Sequence, residues 1–150
     1  MSALWHIDRR GTAALEFALI GPTILALLGV MTDLSLSVSA ANNLAQATAS
    51  GAQYAFIVGA TVTASTVQTM VQNATTLSGV TTTVTGPARY CTSGSPAALS
   101  ADPSGVMCAD GTMPGIYLTV TASYTYTPLM PAISTMINTK LQQSATVRLQ

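Results

Sequence analysis

Apolar and polar positions divide this chain into an unbroken apolar run near its N-terminus and a longer region of shorter, periodic patterns. Residues 12–32 form the run, which carries one carboxylate, Glu16, and ends at Asp33. As a helix rising roughly 1.5 Å per residue it would be about 31 Å long, close to the hydrocarbon thickness of a bilayer. Arg9 and Arg10 precede it. Cations flanking a membrane helix stay on the cytoplasmic side, so the C-terminal bulk is predicted to face outward. Gly21, Pro22 and Gly29 are tolerable in such a helix, and Pro22 predicts a kink or local loosening near its middle.

Past Asp33 the helical pattern is predicted to continue to about Gly59. Leu34, Leu36 and Val38 alternate like a strand, but the alternation is short and lies between helical stretches. Leu44, Ala47, Gly51, Tyr54, Ala55 and Val58 then recur at helical spacing. Ala45, Gly51 and Ala52 make this helix thin enough for a neighbouring backbone to approach. A second helix is predicted over residues 63–78, with Val67, Met70, Val71, Ala74 and Leu77 on one face, Thr63 as N-cap and Gly79 just past its end. Residues 80–85 alternate as a short strand, stopped by Gly86-Pro87. Residues 86–115 read as a long loop containing four prolines and both cysteines. Residues 116–127 alternate strictly, with Ile116, Leu118, Val120, Ala122, Tyr124 and Tyr126 on one face and Tyr117 and a row of Thr and Ser on the other. Residues 129–138 suggest a short helix or turn, and residues 144–150 a last strand with Ala145, Val147 and Leu149 inward.

The expected fold class is α+β. A long N-terminal transmembrane helix precedes a small domain in which a second helix packs on a three-stranded antiparallel sheet. The expected organisation is a leader at 1–11, a transmembrane helix at 12–33 and an extracytoplasmic domain at 34–150. No internal repeat or linker divides that domain.

Glu16 is anomalous, because a lone carboxylate in an apolar membrane segment costs on the order of 2–3 kcal/mol. Either it lies in the headgroup layer, or it has a partner. If the chain were cut after Gly11, Thr12 would become a new N-terminus with Glu16 fifth. A free α-amine is positive near neutral pH and could neutralise Glu16 of a neighbouring subunit.

Composition narrows the function. Charged residues are 7% of the 150 and the formal net charge is +0, with mean hydropathy +0.46. Soluble enzymes carry several times more charge. Outside the leader the cations are Arg89, Lys140 and Arg148, far apart in sequence, whereas nucleic-acid binding needs a dense basic patch. The two cysteines, Cys91 and Cys108, read as a disulfide in an exported domain, with two free thiols as the alternative. Metal binding is not expected, since His6 is the only histidine and lies in the leader. That also leaves no partner for a nucleophilic Ser or Cys. Asp102 and Asp110 flank Cys108 as a carboxylate pair but read as solvated loop acids without pocket residues, and Tyr117, Tyr124 and Tyr126 read as sheet residues rather than a stacking platform. No cofactor motif occurs, and no enzymatic role is expected.

Gly11 followed by Thr-Ala-Ala-Leu-Glu-Phe resembles the cleavage site of type IV prepilins, cut after the glycine with glutamate fifth. More narrowly, Arg-Arg-Gly-Thr-Ala-Ala-Leu-Glu-Phe-Ala-Leu-Ile-Gly-Pro, at residues 9–22, resembles the opening of TadE-like proteins, pilin-like minor pseudopilins of the tight-adherence (Flp, type IVb) pilus system. The stretch from Asn42 to Ala55 and the tail Tyr-Thr-Tyr-Thr-Pro-Leu-Met-Pro from Tyr124 are similar to later parts of that family; the resemblance does not extend to the cysteine loop. The resemblance implies cleavage by a prepilin peptidase between Gly11 and Thr12. It also implies assembly with other pilin-like subunits through the N-terminal helix, with Glu16 and Phe17 engaged, at a bacterial inner membrane with a cytoplasmic N-terminus. Two alternatives stay open. One is a membrane-anchored adhesin or ligand-binding module using the Cys91–Cys108 loop. The other is a secreted soluble protein, because Val38-Ser39-Ala40 is a plausible signal-peptidase site that would discard the anchor.

Overall fold

A computed structural model describes residues 10–93, 98–102, 106–135 and 137–149, without the side chains at 10–13, 132 and 133. Residues up to Arg9, most of the expected leader at 1–11, lie outside these residues.

Helix α1 (Arg10–Val58) is continuous through Pro22. At roughly 1.5 Å per residue its 49 residues span about 73 Å. It ends where Gly59 takes φ 76°, followed by a 3-10 turn (Gly59–Thr61). Helix α2 (Ala64–Ala74) lies beside it. Strands β1 (Thr81–Ser93), β2 (Ala98–Ala101), β3 (Gly115–Thr125) and β4 (Lys140–Arg148) form one antiparallel sheet in the order β2-β1-β3-β4. The class is α+β as expected, with four strands rather than three.

Both helices cover one face of this sheet, α1 against β3 and β4 and α2 against β1. The core follows the predicted periodicities. Leu44, Ala47 and Ala55 from α1, Val67 and Val71 from α2, and Leu118, Val120 and Ala122 from β3 are wholly buried together. Gly51 lets the helices close, because a Cβ there would collide with the Val71 side chain and sit 3.5 Å from Val67. The opposite face of the sheet is a hydroxyl surface: Thr119 pairs with Thr146 at 2.9 Å and Thr121 with Ser144 at 3.3 Å.

Four departures from the sequence reading have identifiable causes. Helix α2 ends at Ala74, not Ser78, because α1 captures the next two residues. Thr75 Oγ1 donates to Asn43 Oδ1 at 2.9 Å, and Asn43 Nδ2 donates to Thr76 Oγ1 at 2.8 Å. Gly79 therefore turns the chain into β1 instead of capping the helix. Thr63 does precede α2, but its hydroxyl bonds Ser65 and Thr66 hydroxyls rather than a backbone amide. Gly86-Pro87 does not stop β1; the pairing with β3 shifts register between Thr85 and Ala88 and resumes. That irregularity needs glycine, since Gly86 has φ 104° and a Cβ there would lie 2.6 Å from the Tyr117 carbonyl oxygen. Much of the expected 86–115 loop is therefore strand, and β2 pairs back on β1 from Tyr90 to Ser93. The last strand begins four residues earlier than predicted, at Lys140, because Lys140–Arg148 pairs with β3 along its whole length.

Gly51→Val should cost about 1–3 kcal/mol of head stability by overpacking, read from thermal unfolding in detergent. Leu118→Ala, which opens a cavity at the same core, should cost about 2–5 kcal/mol. A Gly51→Val protein as stable as the parent would mean that the α1–α2 contact is looser than described.

Candidate functional site

The first half of α1 touches almost nothing in the rest of the protein. Leu15, Phe17, Leu19 and Leu25 are each at least 70% exposed, and Ile24, Leu27, Leu28 and Met31 more than half. Leaving such side chains in water forfeits roughly 1.5–3 kcal/mol apiece. This helix is long and apolar enough to cross a membrane. Gly11 and Thr12 lie at its very start. Glu16 is exposed on it, and its carboxylate meets no hydrogen-bond or charge partner among the described residues. Phe17 lies along the helix beside Gly21, where an added Cβ would sit 3.7 Å from the ring, in ordinary contact. Glu16 and Phe17 are thus presented outward, not used within the chain.

The two halves of α1 meet at a buried carboxylate. Asp33 is 0% exposed. Its Oδ1 accepts from the Tyr126 hydroxyl at 3.0 Å and the Leu129 amide at 2.8 Å, and its Oδ2 accepts from the Met130 amide at 2.9 Å. Both oxygens accept from groups that can only donate or are aimed to donate, which is the pattern of a charged carboxylate stabilised without a cation. The Tyr126 phenol is pushed above its ordinary value, first by burial and then by its bond to Asp33. One helical turn earlier, the Met130 side chain packs directly on Gly29. The segment after β3 therefore grips α1 at two successive points on one face.

Pattern reading had placed Asp33 only as a boundary and Tyr126 only as an inward strand residue. The polar side chain that ends an apolar run, and the tyrosine just before Pro128-Leu129-Met130-Pro131, were the available signals. Nothing local links them, because they lie 93 to 97 residues apart.

At the far end of the sheet, a Cys91–Cys108 disulfide ties β1 to the segment before β3, with Cα atoms 5.7 Å apart. Asp110 shapes the turn after it, accepting from the Thr112 amide at 3.0 Å and hydroxyl at 2.7 Å, chiefly the former holding its carboxyl below the ordinary range. Asp102 and Asp110 were expected to lack pocket residues, yet both line an open cleft of about 840 Å³ with Ser93, Ser100 and Met107. Cys91, Asp102 and Cys108 cluster within 4.8 Å, but the two sulfurs are bonded to each other and offer no thiolate to a metal. Among the described residues the cleft lining holds no histidine, and its two cysteine sulfurs are bonded to each other. Tyr117 stacks edge-on with Tyr90 on the outer face, while Tyr126 is buried on the inner face; they form no shared platform.

Residues 11–53 match the model of the TadE-like protein family. The match begins at the glycine of the N-terminal motif and runs through the apolar segment, Asp33 and Asn43 and most of the core face of α1, including Leu44 and Ala47. The TadE-like resemblance read from the sequence therefore stands on that segment. No curated protein and no solved structure matches the chain significantly.

Removing the phenol hydroxyl with Tyr126→Phe should lower the unfolding midpoint by a few degrees, since one net hydrogen bond is worth about 1 kcal/mol. Asp33→Asn should lower it further, because one amide face would point an N–H at a backbone N–H. An Asp33→Asn head that melts with the parent would show that the junction contributes nothing.

Proposed function

We propose that the chain is a minor pilin-like subunit, a pseudopilin, of the tight-adherence (Flp) pilus assembly machinery. The observation that carries this reading is the bare apolar half of α1, continuous with a folded head and lying inside the TadE-like match. Residues 1–11 are a leader, 12–33 a single membrane span, and 34–150 a head outside the bacterial inner membrane. Arg9 and Arg10 hold the N-terminus in the cytoplasm. A prepilin peptidase cuts between Gly11 and Thr12, placing a free amine four residues from Glu16.

The protein then works by assembly, not catalysis. Its apolar helix enters a bundle with other pilin-like subunits. Glu16, outward-facing and unpaired within its own chain among the described residues, accepts the charge of a neighbouring N-terminal amine. In a low-dielectric bundle that pairing offsets the cost of inserting the carboxylate. Phe17, beside it, supplies apolar contact.

The secreted alternative fits the fold poorly. A cut after Ala40 would remove Asp33 from the head and leave the Leu129 and Met130 amides without their acceptor. The adhesin alternative has one observation in its favour. Leu99, Val106, Met107 and Met113, around the disulfide and remote from Asp33, are 39–70% exposed and could serve as a contact surface.

The intact mass of the mature protein from native membranes should correspond to a chain beginning at Thr12; one beginning at Ala41 in the soluble fraction overturns the anchor. Glu16→Gln should insert normally yet lose most assembled pili. Normal piliation by Glu16→Gln would eliminate the pairing role.

A further inference from the structure

Resting on the reading of residues 12–33 as a membrane span, we propose that the segment following β3, from Pro128 to Pro131, is seated in the outer leaflet of the same bilayer. Leu129 is then a second membrane contact of the head.

The argument is one of depth. The apolar run of 12–32 is centred on Pro22, so Asp33 lies about 16 Å from the bilayer midplane along a helix rising roughly 1.5 Å per residue. The hydrocarbon half-thickness is about 15 Å, which puts the carboxylate at the boundary. Gly29, by the same measure, lies about 10 Å from the midplane, inside the hydrocarbon. The Met130 side chain packs directly on Gly29, so this part of the head reaches below the boundary along the helix. Its neighbour Leu129 is held in place by the bond from its amide to Asp33, yet its side chain is 71% exposed. Leu129 itself lies at the boundary, bordering a crevice with Leu36, Ser39 and Ala40 of α1, and a leucine exposed at that level meets lipid.

The chemistry of the segment agrees. Residues 127–139 contain no charged side chain, and the next residue is the exposed Lys140, placed to reach back to lipid phosphates. Asp33 makes the insertion tolerable for the backbone. The Leu129 and Met130 amides, which would otherwise enter the interface without acceptors, both end on its carboxylate. The head is thereby fixed to the membrane at two points, α1 and the loop, which restrains its tilt.

The test uses the full chain reconstituted in vesicles of phosphatidylethanolamine and phosphatidylglycerol. Single variants Leu129→Cys, Leu25→Cys and Ile57→Cys carry an environment-sensitive fluorophore, and lipids spin-labelled on the acyl chain act as quenchers. Leu25 lies in the proposed span, and Ile57 is an exposed position at the other end of the head portion of α1. The expected result is strong loss of emission at Leu25, clear loss at Leu129 and none at Ile57. Quenching at Leu25 without quenching at Leu129 overturns this inference and leaves the anchor intact. A blue-shifted but unquenched label at Leu129 also overturns it, because the side chain then meets protein and not lipid. Equal quenching at Leu129 and Ile57 overturns it as well, since the whole head would then lie flat. No quenching at Leu25 removes the membrane span itself, and this inference with it.

Discussion

The bond network on Asp33 is what makes one object of two dissimilar halves. On one side of it α1 is bare and apolar; on the other the same helix is the central strut of a folded head. Tyr126, Leu129 and Met130 close onto the carboxylate from the segment that follows β3. Those bonds fix where the sheet ends relative to the helix, and therefore how far the head stands from the apolar run. They also explain how a carboxylate can be completely enclosed beside an apolar run without a cation. Burial penalises its charge, while two backbone amides and a phenol satisfy it.

The two halves of α1 also differ in what their small residues do. Gly51, in the head, admits the valines of α2 and helps define the core. Gly29, outside the core, admits Met130 and belongs to the grip on the helix. Gly21 is covered only by Phe17 of its own helix. The outer half thus leaves its apolar surface bare, which is the physical basis for proposing it as an assembly element with Glu16 at its start.

Much of this was legible in the residues. The α1 core stripe, the inward face of β3 and the pairing of Cys91 with Cys108 follow from periodicity and from the cysteine count. What failed was set by distant partners. Ala98-Leu99-Ser100-Ala101 has no alternation to announce β2, whose residues are all exposed and whose strand exists because β1 offers an edge. The start of β4, Lys140-Leu141-Gln142-Gln143, is too polar to read as a strand until β3 is beside it. Helix α2 ended early because Asn43, more than thirty residues away, took the hydroxyls of Thr75 and Thr76. Asp33 itself was visible, but only as punctuation. Glu16 and Phe17 lie exposed on the bare half of α1.

The order of the elements has a consequence for how the protein is made. The helix that carries Leu44, Ala47 and Ala55 is synthesised before the surfaces that bury them, β3 and β4. Leu149, just past β4, is only 3% exposed, and its amide bonds the carbonyl of Ile116. The core of the head therefore cannot close before β4 has been made and released. Until then the helix waits with one face unmet, and the core is completed only when β4 arrives.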